Sequence, residues 1–86
     1  MGMTTAKWDE IATEFLKGRK IVGVRYATDH EAESALQQNR GVQVYLDNGS
    51  WFWVSRDDEA NDAGAIHGMD PLGFQVCLPV LPVGMK

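Results

Sequence analysis

Trp8, Ile11, Ala12 and Phe15 recur at the spacing of one helix face, with Glu10, Glu14 and Lys17 on the other side. That period predicts an amphipathic helix over residues 5–17. Thr4 or Thr5 can cap its start, and Gly18 supplies a stop. A helix apolar on one side needs something to cover.

The segment KIVGVRYA is rich in β-branched residues and reads as a strand. Its alternation sets Ile21, Gly23 and Arg25 against Val22, Val24 and Tyr26. In TDHEAESALQQ, Thr28 and Glu31 have the spacing of a capping box, which predicts a short helix over residues 29–37. Asn39 to Gly41 close it.

GVQVYLDNGSWFWV is the firmest element, a β-hairpin. Asn48-Gly49 suits a two-residue type I′ turn, in which both central residues need positive φ. That turn pairs Leu46 with Trp51, Tyr45 with Phe52, Val44 with Trp53 and Gln43 with Val54. Opposed residues share a face, so Val42, Val44, Leu46, Trp51 and Trp53 are expected together. Gln43, Tyr45, Phe52 and Val54 would then share the other side, and a one-residue slip would exchange the sets. Neither face is polar enough to lie wholly in water. The N-terminal helix, helped by the second, can cover one; the C-terminal segment, a partner chain or a ligand must meet the other. Each large side chain moved into a packed site is worth roughly 1.5–3 kcal/mol, against about 0–1 kcal/mol for a surface ion pair. Aromatic burial therefore decides the assembly.

After Arg56, DDEANDAGAIHGMDPLG has no clean period. It allows a turn of helix near residues 58–63 broken by Gly64, and a turn at Asp70-Pro71-Leu72-Gly73. Phe74 to Leu78 alternate as a last strand. Pro79 and Pro82 then end regular pairing, because proline lacks a ladder donor. The apolar LPVLPVG suits packing along the body or across a dimer seam. The fold class that follows is α+β: an N-terminal amphipathic helix on a curved antiparallel sheet of three to four strands. A half-barrel that internalises both faces competes with dimerisation. One domain spans residues 1–86, with 1–4 and 83–86 as loose ends.

Composition narrows the classes. At 86 residues only about 60–65% of the unfolded chain's surface is buried on folding, so self-association is an inexpensive route to a larger core. Cys77 is the single cysteine. It excludes an intrachain disulfide and a cysteine-rich zinc site, and a reducing cytoplasm is the expected compartment. No run of 18 apolar residues exists to cross a membrane. Twelve acidic against eight basic residues give a net charge of −4, which argues against a sequence-independent nucleic-acid binder.

GRKIVGVRYATDHEAESAL, the LDNGS turn and SRDDEANDAGAIHG resemble a group of small bacterial proteins without an assigned activity. In that group a strand ending in Val-Arg leads to an acidic helix, and a strand, turn and strand run into S-R-D-x-E-G-N-x-x-G-A. Ser55, Arg56, Asp57, Glu59, Asn61, Gly64 and Ala65 match it, while Ala60 stands where the pattern has glycine. The resemblance spans residues 18–68. Some members are similar to products of mobile (integron) gene cassettes, and the resemblance implies no particular reaction.

Candidate chemistry is sparse. Asp57, Glu59 and Asn61 alternate like the first half of a calcium loop, but Asp62 and Gly68 occupy the positions where an EF-hand needs glycine and glutamate. Helix capping and pairing with Arg56 explain those carboxylates better. Ser55, His67 and Asp57 are the residue types of a hydrolytic triad, without the glycines of a nucleophile elbow. His67 reads as a loop or surface histidine and Cys77 as a buried, inert thiol. Trp51 and Trp53 can stack on flat molecules, or serve as core or interface aromatics. An RNA-binding sheet would want more basic residues between them.

The reading chosen is a non-enzymatic homodimeric interaction or accessory module, with Trp51, Trp53, Leu78, Val80 and Leu81 as interface residues. The first alternative is a small-molecule binder using Trp51, Trp53, Tyr26 and Arg56 against an apolar ligand. The second is a hydrolase-like or metal-assisted enzyme using the acidic segment from Arg56 to Asp62. No catalytic set, metal, cofactor, nucleic acid or membrane is expected; an unidentified protein partner remains open.

Overall fold

A computed structural model describes residues 3–35, 37, 39–55 and 64–86. In chain order the elements are α1 (Thr5–Leu16), β1 (Ile21–Tyr26), α2 (Asp29–Ser34), β2 (Val42–Leu46), β3 (Trp51–Val54), β4 (Ile66–Met69) and β5 (Gln75–Leu78). Both helices begin as their sequences require. The Thr4 side chain accepts from the Lys7 amide, and Thr28 and Glu31 form the full capping box. Gly18, at φ 76°, follows the end of α1. At the other end of the chain, the Thr5 amide donates to the Lys86 carbonyl over 2.9 Å and the Thr5 hydroxyl to that of Met85. The C-terminal segment thus meets the start of α1.

The sheet is a five-stranded antiparallel meander, β1-β2-β3-β4-β5, with β1 and β5 as open edges. This corrects the three to four strands expected. The extra strand, β4, reads Ile-His-Gly-Met and has no alternation to announce it. Gly68 sits there because nothing larger fits. A Cβ would run into the Trp51 carbonyl oxygen and lie 2.9 Å from Phe52 Cβ and 3.1 Å from Phe15 Cζ. A strand is formed here by its neighbours, not by its own propensity.

The hairpin register also differs from expectation by one residue. Tyr45 pairs with Trp51, Val44 with Phe52 and Gln43 with Trp53. The Gly49 amide donates to the Leu46 carbonyl (3.2 Å) and the Leu46 amide to that of Ser50 (2.9 Å). Gly49, at φ 90°, is therefore the last residue of a three-residue loop, a type I turn closed by a left-handed residue. Asn48 supports it by accepting from the Ser50 amide and hydroxyl. The β4–β5 hairpin repeats the design: the Gly73 amide reaches the Asp70 carbonyl, the Asp70 amide reaches that of Phe74, and Gly73 has φ 89°. Asn-Gly can serve either loop length, and the longer one won.

That slip sorts the faces anew. Pairing carries one row across the sheet as Arg25, Gln43, Trp53, His67 and Cys77, and a second as Gly23, Tyr45, Trp51, Met69 and Gln75. Val44 and Trp53, expected side by side, point to opposite faces. Val24, Val44, Phe52, Gly68 and Val76 make a row on the α1 side, where the Phe15 ring meets Phe52 edge-on at 6.4 Å. Phe15, Leu46 and Leu78 are buried in that layer. In β1 a bulge between Ile21 and Gly23 makes Val22 the extra residue, so its alternation restarts at Gly23. Helix α1 packs towards β5 and leaves the β1 end of its own face bare.

Candidate functional site

The face away from α1 is a continuous aromatic ladder. Tyr45 stacks on Trp51 (centroids 5.9 Å apart), Trp51 on Trp53 (5.4 Å) and Trp53 on His67 (5.4 Å), with interplanar angles of 22°, 25° and 26°. The Arg25 guanidinium extends it at 5.6 Å from the Tyr45 ring. Cross-strand pairing explains the order: Tyr45–Trp51 and Trp53–His67 are direct partners, and the indoles stand two residues apart on one strand. Such stacks are worth about 0.5–1.5 kcal/mol per pair beyond burial.

Helix α2 closes over part of this ladder. Arg25 grips Glu31 with both arms, Nη1 to Oε1 at 2.8 Å and Nη2 to Oε2 at 2.9 Å, while the Thr28 amide donates to Oε1 at 2.8 Å. These bonds, Arg25 foremost, hold the Glu31 carboxyl at about 2, well below its usual 4.5. The same pairing raises the Arg25 guanidinium above its ordinary value. The capping-box glutamate therefore does two jobs: it starts α2 and fastens it to β1.

Between α2 and the indoles lies a half-open cavity of about 310 Å³. Trp51, Trp53 and Gln43 form its floor, and His30, Ser34 and Ala35 lie on the α2 side. Gln43 is buried and accepts from the Tyr45 hydroxyl at 2.6 Å. The Trp53 Nε1–H is buried and meets no acceptor among the described residues. An unmet buried donor costs about 1–3 kcal/mol.

Of the residues singled out from sequence for ligand binding, Trp51 and Trp53 line this cavity. Tyr26 does not join them, because it pairs with Val42 on the opposite face. Arg56 and the acidic residues 57–62 lie outside the described residues. Of those singled out for an interface, Leu78 is buried beneath α1, Val80 is exposed and Leu81 is half-buried. His67 is a half-buried strand residue on Trp53 rather than part of a loop. Cys77 is exposed rather than buried, since it faces the α2 side from edge strand β5, beyond that short helix. The Ser55 hydroxyl donates to the Ala65 carbonyl at 3.3 Å.

Gln43, His30 and Ser34 were not anticipated at a site. The capping box was visible, but the face on which α2 would land was not. Among the described residues, no group of three or more His, Cys, Asp or Glu could hold a metal ion, and no helix is long and apolar enough to cross a membrane. Comparison of the chain with protein families, curated proteins and solved structures finds no match, and the geometry alone carries a functional reading.

Proposed function

We propose that this protein is a non-catalytic binding module for a small, flat, uncharged molecule held between α2 and the indoles of Trp51 and Trp53. The cavity of about 310 Å³ with two indoles in its floor carries this reading. Its size falls at the lower end of the roughly 300–1,000 Å³ typical of small-molecule sites, and its mix of an apolar lining with a few polar groups is theirs too. Charge gives the ligand its neutrality. Glu31, the one carboxylate on the wall among the described residues, is already paired with Arg25. The orphaned Trp53 Nε1–H favours a ligand with an acceptor atom, because a small turn of the indole towards it would recover the cost of the missing bond.

The test is a titration with indole, quinoline and naphthalene, followed by tryptophan fluorescence, thermal melting and amide chemical shifts. A ligand at a hundred times its Kd stabilises by about 2.7 kcal/mol. Shift changes should cluster on residues 28–35 and 43–54. Ala35→Trp, which fills the cavity mouth from an exposed helix end, should abolish them while leaving the fold intact. Binding that survives Ala35→Trp, or shifts that map elsewhere, would remove this cavity from consideration.

A further inference from the structure

We infer that β1 is a self-recognition edge, along which a second copy of this chain adds its own β1 antiparallel, with Val24 on the two-fold axis. The inference does not depend on the cavity, which lies on the other face of the sheet.

The residues of β1 on the α1 side have no cover. Val24 is 60% exposed, Tyr26 64% and Ile21, which pairs with Leu46, 63%. Towards the far end of that face exposure falls to 9% at Leu78, where α1 sits. Contiguous apolar exposure of this kind marks contact surfaces. Edge strands that stay single are protected by lysine, proline, inward charge or a bulge, and the bulge of β1 lies before Gly23, leaving Gly23 to Tyr26 in regular pairing. Between Ile21 and Tyr26 the sole charge is Arg25, which turns to the other face and is spent on Glu31.

The open backbone says what the occupant is. Ala27 donates to the Gly41 carbonyl at 2.8 Å, so the pairs Arg25–Gln43 and Gly23–Tyr45 are the hydrogen-bonded ones in the same register. The intervening Val24 and Tyr26 then point their amides and carbonyls outward, ready for another strand. The Tyr26 carbonyl already accepts from Arg25 Nη1 at 3.2 Å, leaving Val24 with both its groups open among the described residues. Of the symmetric antiparallel registers, two set the outward groups of Val24 against those of Val24 or Tyr26 in the second copy. One centres on Arg25 and sets two guanidinium groups opposite each other, which like-charge repulsion disfavours. The other centres on Val24, pairs it with its own copy, and sets each Arg25 opposite Gly23, which has no side chain to obstruct it. An isologous contact of this form closes on itself and joins two five-stranded sheets into one.

Sedimentation equilibrium and covalent trapping test the idea together. The wild-type chain should give twice the monomer mass at micromolar concentration. Val24→Lys should raise the dimer dissociation constant at least about tenfold, since it puts two ammonium groups on the axis. Leu72→Lys, on the exposed β4–β5 turn, should leave it unchanged, and circular dichroism checks that each variant is folded. In a Cys77→Ser background, Val24→Cys should form an intermolecular disulfide on mild oxidation and Ile11→Cys on α1 should not. A monomer at all concentrations overturns the inference. So does a dimer that tolerates Val24→Lys or is not trapped through position 24.

Discussion

Replacing Gly68 with alanine probes the architecture at the point where three layers of contact converge. The added methyl meets the Trp51 carbonyl oxygen and Phe52 Cβ, both fixed by β3, and the end of the Phe15 ring from α1. The ring can turn aside; the carbonyl can move only by breaking the β3–β4 pairing that holds Phe52 opposite Gly68. Overpacking in a core costs about 1–3 kcal/mol when side chains can yield, and here backbone must, so about 3 kcal/mol is the expected loss. A chain of 86 residues has roughly 4–13 kcal/mol of total stability, so a quarter or more of it is at stake. At about 4–8 °C per kcal/mol for a domain of this size, Tm should fall by about 12–24 °C. Urea unfolding followed by indole fluorescence and far-UV circular dichroism gives the free energy directly. Gly41→Ala is the control, since a Cβ there meets nothing within 4 Å; it should change stability by no more than about 1 kcal/mol, as a glycine replaced at a compatible site. If Gly68→Ala loses no more than Gly41→Ala, β4 does not lie against Phe52. The row that brings His67 beside Trp53 would then fall with it.

Two more predictions concern the loop and the helix clasp. Asn48→Ala removes both acceptor contacts to Ser50, which is 1% exposed; about 1–3 kcal/mol should be lost for the stranded donors, and a neutral result in urea unfolding would contradict the three-residue loop. Glu31, at about 2 when folded against 4.5 ordinarily, adds stability that is complete above about pH 4.5 and disappears as pH falls through about 2. Urea midpoints measured from pH 6 to pH 2 should therefore drop more steeply for the wild type than for Glu31→Gln, and parallel curves would show that the clasp to Arg25 does not form in solution.

Local signals were legible wherever the chain carries its own punctuation. The face of α1, its Thr4 cap and Gly18 stop, the Thr28–Glu31 box and the Asp70–Gly73 turn are all decided within four or five residues. The existence of the β2–β3 hairpin is likewise local. Its register was not, because Asn-Gly can close a two-residue or a three-residue loop, and one residue's difference moved Trp51 and Trp53 from the side of Val44 to that of Gln43. That single step is why the site was only half visible: the indoles were singled out, but Tyr26 was grouped with them and Gln43 was not.

By itself, then, the amino-acid order determined which segments are helix, strand or turn wherever short-range capping and periodicity suffice, and it determined that large aromatics must find cover. Only the folded chain decided that β4 exists, that α1 and α2 take opposite faces, and that a cavity opens between α2 and the indoles. These features depend on contacts between residues distant along the chain. Gly68 is a strand residue because Phe15 and Trp51 leave room for nothing else, and Glu31 is a clasp because Arg25 reaches it from β1. No short window of sequence contains both partners.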